Sequence, residues 1–288
     1  MKIILIGSNG KIGTAILKKM QLKNTIFTPS RKEIDINSII SIKKYIKSVN
    51  ADILINTAAY HNLLDCEINK YIAFKINVEA NRNLLKACSE NKIKYLTFST
   101  DYVFDGKKKS LYKEHHKRNP IQVYGLTKEI SEIDCEFMYP DNSIVIRTSG
   151  VFGDSSGNKT NFLLSRLKDS KSDKKIYISD EQTITPTFTD DLAEILSFLL
   201  NKVNIENGIY HITNSNFCSW YELATFFYKE MGIKKKIFPI DRQGIDLSGF
   251  KRPKFSGLSN DKVQKLIRQQ IPTWKQSVSR YCRLIISG

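Results

Sequence analysis

In the segment Tyr124-Gly125-Leu126-Thr127-Lys128 a phenol and an ammonium stand four residues apart. On a helix that spacing puts them on one face with about 6 Å between them. A phenol ordinarily titrates at about 10, so a neighbouring positive charge is needed for it to exchange protons at neutral pH. Lys128 can supply that field and can also hold the ribose of a nicotinamide. Upstream, an apolar run ends in Ser99-Thr100-Asp101-Tyr102. A hydroxyl there, on Thr100, completes a hydrogen-bonded trio with Tyr124 and Lys128 around a substrate carbonyl. Strand ends of this kind are where ligands gather in parallel sheets.

Near the N-terminus, Gly7, Gly10 and Gly13 are spaced Gly-x-x-Gly-x-x-Gly, looser than the Gly-x-Gly-x-x-Gly of dinucleotide sites. They lie between the strand-like Lys2–Ile6 and the helical Ala15–Lys19, the order that lets backbone approach a pyrophosphate at a helix N-terminus. The expected cofactor contacts in this turn are Gly7, Asn9, Gly10, Lys11, Ile12 and Gly13. The second strand candidate, Thr25–Thr28, is followed by Pro29-Ser30-Arg31-Lys32, where Ser30 and Arg31 suit the 2′-phosphate of NADP. Asp35 and Ile36 then lie where an adenine could meet a carboxylate and backbone. NADPH is the expected cofactor, with NADH as the alternative.

The elements that must position these groups alternate. Strand candidates at Lys2–Ile6, Thr25–Thr28, Ile53–Ile55, Tyr95–Phe98 and Ser143–Ile146 are separated by helices at Ile36–Val49, Asn69–Cys88 and Tyr124–Tyr139. Short apolar strands alternating with helices predict βαβ units, and so an α/β Rossmann-type doubly wound parallel sheet. Residues 1–150 are assigned to this dinucleotide-binding domain. Residues 151–288 are assigned to a smaller C-terminal α/β region, mainly for substrate, from which the chain can cross back. Its expected elements are helices at Phe162–Leu167, Leu192–Leu200, Trp220–Met231, Asp261–Ile267 and Trp274–Leu284, with a strand at Ile209–Ile212. Asp241–Ser259, rich in Gly, Pro, Ser and charge, reads as a surface loop or flap.

Composition narrows the partners. The 288 residues carry 45 Lys+Arg against 29 Asp+Glu, a formal charge of +16 that favours anionic ligands. The basic clusters are scattered and accompany no nucleic-acid motif, so a small anionic substrate explains them better than a nucleic acid. Apolar runs are too short for a membrane span, and Met1–Lys2 leads into a strand rather than a signal-peptide core. Five widely spaced cysteines without a Cys-x-x-Cys pair support neither a disulfide framework nor a structural metal, and read as buried small hydrophobes in a cytoplasmic protein. Arg252, beside Pro253, could clamp a nucleotide diphosphate with its guanidinium.

The glycine turn, Asn56-Thr57-Ala58-Ala59, Ser99-Thr100-Asp101-Tyr102-Val103-Phe104-Asp105-Gly106, the Tyr124–Lys128 segment and Ile146-Arg147-Thr148-Ser149 together resemble the extended short-chain dehydrogenases/reductases. Among them the resemblance is to the dTDP-4-dehydrorhamnose reductases. It continues through Asp180-Glu181-Gln182, Gly208-Ile209-Tyr210-His211 and Arg252-Pro253, and covers nearly the whole chain. It implies hydride transfer from NAD(P)H to C4 of a nucleotide-linked 4-keto-6-deoxy sugar, in surface-polysaccharide synthesis. Tyr124 would donate the proton, Lys128 would lower its pKa, and Thr100 would bond the substrate oxygen. Asp101 and Tyr102 would orient the sugar, with Thr148 and Ser149 beside the reacting ring. Asn56, Ala58, Ala59 and Ser99 would line the cofactor. A homodimer through the helices near Asn69–Cys88 and Tyr124–Tyr139 is compatible with the family.

The chain departs from the family at Gly150, where a tryptophan commonly follows Arg-Thr-Ser, and in the segment His61–Glu67. The acidic pair that dehydratases carry after the threonine is absent, since Tyr102 follows Asp101, which favours plain carbonyl reduction. Two alternatives stay open: an epimerase or reductase of another nucleotide sugar, and a non-catalytic NADP-binding regulatory subunit.

Overall fold

The computed structural model describes residues 1–153, 161–203, 205–240 and 251–287. Its centre is a six-stranded sheet of β1 (Lys2–Ile6), β2 (Thr25–Phe27), β3 (Ile53–Asn56), β4 (Lys94–Thr100), β5 (Ser143–Thr148) and β6 (Gly208–His211). The spatial order is β6-β5-β4-β3-β1-β2, and every pairing is parallel. The doubly wound α/β sheet expected from the alternation is therefore present. Its strands are continuous apolar runs because both faces are covered.

Successive residues of β1 serve opposite cores. Ile3 and Leu5 pack toward helices α1 (Lys11–Met20), α8 (Thr189–Phe198) and α10 (Asp261–Ile267), through Ile16, Leu192, Leu196 and Val263. Ile4 and Ile6 face α2 (Ile39–Val49) and α5 (Ala80–Glu90), through Ile42, Ile46, Leu84 and Leu85. A separate core joins α7 (Phe162–Asp169), α9 (Trp220–Glu230) and α11 (Trp274–Ser287) around Phe152, Leu223, Phe227 and Trp274. The second half of the chain is thus not confined to that core: β6, α8 and α10 return to complete the central sheet and one of its helical layers.

The helix expected over Asn69–Cys88 is interrupted. A short α3 (Leu63–Ile68) precedes α4 (Lys70–Phe74), and a π-helical turn, Lys75–Glu79, joins α4 to α5. Such turns bulge one residue out of the helical ladder and often mark functional positions. On the same face of the sheet, packed against α5 and the π turn, α6 (Val123–Met138) starts at Gln122, whose side chain accepts from the Gly125 N–H.

Of the segment expected to form a surface flap, residues 241–250 lie outside the described residues. Of the remainder, Lys251 and Lys254 are exposed as expected, whereas 256–259, and Asn260 after them, are buried. Their polar groups are accepted by the interior: Ser256 N–H donates to the Thr183 carbonyl, and Asn260 Nδ2 to that of Thr213. All five cysteines are buried free thiols. Among the described residues, no helix is long and apolar enough to cross a membrane.

Candidate active site

The glycine turn is shaped by close approach. A Cβ on Gly13 would stand 2.3 Å from the Gly7 carbonyl oxygen, so only glycine lets α1 begin this near the end of β1. The Thr57 hydroxyl lies within hydrogen-bonding distance of the Ile6 and Gly7 carbonyls and ties the β3 loop to the turn. The N-cap of α1 is Gly10, without a capping side chain, and the first turn carries no acid. The helix end thus presents its N–H dipoles to an anion. Asn9 is exposed on this turn, while Ile12 packs into the core and offers only backbone.

Beyond β2, Ser30 and Arg31 are exposed. The Ser30 N–H donates to Glu33 Oε2 at 2.7 Å, an arrangement that holds the Glu33 carboxyl below its ordinary range. Asp35 folds the turn before α2, accepting from the Asn37 N–H at 2.9 Å. Ile36 is half-buried at the edge of the core. Asn56 is turned inward: its Oδ1 accepts from the Ala58 N–H at 3.0 Å, and its Nδ2 donates to Tyr95 at 3.3 Å. Its side chain therefore sets the path of Ala58 and Ala59 along the cleft.

The parallel register places Thr100 opposite Thr148, at the C-terminal ends of β4 and β5. The Thr100 hydroxyl lies near enough to the Tyr124 phenol to act on it, and the Tyr102 ring meets the Tyr124 ring edge-on at 6.3 Å. Burial raises the Tyr124 phenol above its ordinary value, and the charge of Asp101 raises it further. This departs from the lowering expected from Lys128: in this arrangement the phenol is held in its proton-bearing form. Burial lowers the Lys128 ammonium to about 8, against the supporting charge of Glu132 one turn on.

Asp101 is not open to a ligand through its carboxylate, as a sugar-orienting role would need. It is buried, and its oxygens take hydroxyls from Thr100 (3.0 Å), Ser149 (2.8 Å) and Ser256 (2.5 Å). Ser149 is accordingly engaged by Asp101. Thr148 keeps a buried hydroxyl that finds no hydrogen-bond partner among the described residues. Ser99 points away from the cleft and donates to Glu132 at 2.5 Å.

Three contributors escaped the sequence. Asn77, on the π turn, accepts from the Tyr60 N–H and donates toward the Tyr60 carbonyl (both 2.8 Å) and Thr127 Oγ1 (3.0 Å), joining the β3 loop to α6. A polar residue interior to an amphipathic helix was its only signal. Ser256 reaches Asp101 across 155 positions, which no spacing announces. The third is the Glu132–Arg147 pair, buried behind the trio, where the Arg147 charge holds the Glu132 carboxyl below its ordinary range although burial opposes it.

Arg252 lines a cavity of about 270 Å³ with Arg166, Gln182, Phe162, Tyr177 and Trp220. Gln182 precedes Thr183, whose carbonyl accepts from Ser256, so this cavity joins the Asp101 cluster through a short bonded path. A more open hollow of about 510 Å³ lies at the opposite, N-terminal edge of β1, around Met1, Asn24 and Asp52, away from this chemistry.

Gly150 sits in the left-handed region at φ +53°, and a Cβ there would approach Ile184 Cδ1 to 2.7 Å. The Ile184 side chain thus occupies space beside this position.

Known proteins show the same organisation. The spore coat polysaccharide biosynthesis protein SpsK of Bacillus subtilis is 29% identical over 283 residues, spanning 97% of this chain and 96% of that one. A dTDP-4-dehydrorhamnose reductase of Clostridium acetobutylicum superposes with TM-score 0.91 at 29% identity, over 99% of this chain and 100% of that one. The dTDP-4-dehydrorhamnose reductase of Bacillus anthracis in complex with NADP gives TM-score 0.91 at 25% identity, over 100% and 99%. The family described as the RmlD substrate binding domain matches residues 1–285, and the chain belongs to that family.

Proposed function

We propose that the protein is a cytoplasmic NADPH-dependent reductase of a nucleotide-linked 4-keto-6-deoxy sugar, of the dTDP-4-dehydrorhamnose type, serving surface-polysaccharide synthesis. The observation that carries this reading is that α6, bearing Tyr124 and the buried Lys128 one turn apart, packs against the end of β4 at Thr100–Tyr102, on the sheet that also holds the glycine turn. The family relationship and the NADP complex of the Bacillus anthracis protein support it.

The residues present fit the cofactor. A turn that a Cβ at Gly13 would fill leads into an uncapped helix end suited to the pyrophosphate. Arg31, exposed beyond β2, is available to the 2′-phosphate, and Thr148 offers an unsatisfied buried hydroxyl in the cleft. When bound, NADPH supplies the hydride that reduces the C4 carbonyl carbon. Tyr124, kept protonated by burial, donates its proton to the carbonyl oxygen, and the resulting phenolate regains a proton from water. Lys128, charged below about 8, stabilises that phenolate and the negative charge growing on the oxygen. Arg252 and Arg166 suit the diphosphate, beside the Phe162 and Trp220 rings, whose centroids lie 4.5 Å apart with their planes tilted by 52°.

The test is oxidation of NADPH against a panel of dTDP-, GDP- and UDP-linked 4-keto-6-deoxy sugars. Turnover is expected with the dTDP-linked sugar. NADPH binding without oxidation across the panel would overturn the reading in favour of a non-catalytic subunit.

A further inference from the structure

The Thr100 hydroxyl has two bonded partners, and its remaining position is open on the side of Tyr124. Its oxygen accepts from the Tyr102 N–H at 3.2 Å and lies 3.0 Å from Asp101 Oδ1, with the Tyr124 phenol nearby. A hydroxyl has one hydrogen and two acceptor sites. The Tyr102 contact uses one acceptor site, so the hydrogen goes either to Asp101 or toward Tyr124. Asp101 decides which, because an ionised carboxylate only accepts whereas a protonated carboxyl donates.

The surroundings of Asp101 leave both forms accessible. Burial raises its carboxyl to about 6, against the lowering effect of hydrogen bonds from Ser256, Ser149, Thr100 and backbone. On α6, Tyr124 is the titratable group that feels the Asp101 charge, and Cys66 and Tyr102 act on the same phenol. Lys128, one turn along, answers to Glu132 and Cys135.

We infer, resting on the reductase reading, that Asp101 is a positioning residue whose proton sets the direction of the Thr100 hydroxyl, so that Thr100 donates toward the reacting oxygen only while Asp101 is protonated. Ionised Asp101 takes the Thr100 hydrogen. The lone pair left facing Tyr124 then competes with the substrate for the phenol's proton. Reduction is favoured below the Asp101 titration and declines above it. Because Ser256 stabilises the ionised form, its removal moves that titration to higher pH.

The experiment is the pH dependence of kcat for sugar reduction, in wild type, Asp101→Asn and Ser256→Ala. Above the Asp101 titration the wild type is expected to lose about tenfold per pH unit, the slope of a single ionisation. Asp101→Asn, whose amide donates to Thr100 and accepts from the serines, is expected to be flat over the same range. Ser256→Ala is expected to keep the limb but at higher pH. The separate decline from Lys128, above about 8, should persist in all three. An unchanged limb in Asp101→Asn, or a limb in Ser256→Ala that stays or moves down, would overturn the inference.

A second readout is the infrared band of a protonated carboxyl that disappears in Asp101→Asn. It is expected to titrate with the kinetic limb. Its absence from the wild type throughout the neutral range would overturn the switch whether or not any sugar is reduced. Lack of turnover by the wild type alone would overturn only the reductase reading.

Discussion

Glu132 and Arg147 meet through two parallel hydrogen bonds, Nη2 to Oε2 at 2.6 Å and Nε to Oε1 at 2.8 Å, with 0% and 1% of their surfaces exposed. Ser99 and Arg118 complete the carboxylate's partners, and the Arg147 guanidinium lies 5.0 Å from the Phe104 ring centroid. The pair joins α6 to β5 immediately behind Thr100 and Lys128. Removing one member leaves the other as a buried unpaired charge, which costs about 3–5 kcal/mol. Glu132→Ala is therefore expected to lower the unfolding free energy by that amount, measured by urea denaturation. A loss below about 1 kcal/mol, the ordinary scale of an exposed pair, would contradict the buried geometry.

Tyr124→Phe retains the ring and its edge-on contact with Tyr102 but removes the transferable proton. Loss of a positioned general acid costs on the order of 10²–10⁴-fold in rate. Turnover should fall by that factor, while NADPH affinity, measured by fluorescence titration, changes little. Undiminished turnover would remove Tyr124 as the donor.

The fold of the first half was legible because its strands are buried on both faces and so read as continuous apolar runs. The glycine turn and the Tyr124–Lys128 pair were legible because they are local patterns. Asn77 was hidden inside a helical pattern, since a π turn arises from tertiary demands rather than from periodicity. Ser256 was hidden differently. Its segment has the composition of a loop, yet Asp101, Thr183 and Thr213 give the polar groups of 256–260 buried partners. A strand at Ile209–Ile212 and a crossing back were legible, but its pairing with β5 was not, because that is set by chain topology.

Arg31 is the discriminating residue for the cofactor's 2′-phosphate in this account. A hydrogen bond between charged groups contributes about 1.5–3 kcal/mol, or roughly 10–100-fold in affinity. Arg31→Ala should raise the Kd for NADPH by that factor and leave NADH nearly unchanged, as calorimetry would show. Equal losses for the two cofactors would refute the assignment.

Gly150→Trp does not simply restore an aromatic wall. The left-handed backbone at this position costs a residue with a Cβ about 1–2 kcal/mol, and that Cβ would also crowd Ile184. The substitution is expected to lower Tm, and adding Ile184→Ala should recover part of the loss. A variant as stable as the wild type would show that the loop accommodates the ring by moving.

Lys128 links turnover and stability in opposite senses. As pH rises through about 8 the buried ammonium loses its charge, so turnover should fall. An unfolded lysine titrates at about 10.4, so between these values the unfolded chain holds more protons and stability rises with pH. Comparing wild type with Lys128→Met by urea denaturation across that window should show the rise only in the wild type. Parallel curves would contradict the buried, depressed ammonium.

The decisive measurement uses NADPH with deuterium at both hydrogens of the nicotinamide C4, incubated with dTDP-4-dehydrorhamnose, with the product examined by NMR. The expected product is a dTDP-6-deoxyhexose labelled at C4, formed in step with cofactor oxidation and lost in Tyr124→Phe. Unlabelled product, or full cofactor binding with no transfer to this or any related 4-keto sugar, would contradict the reductase reading.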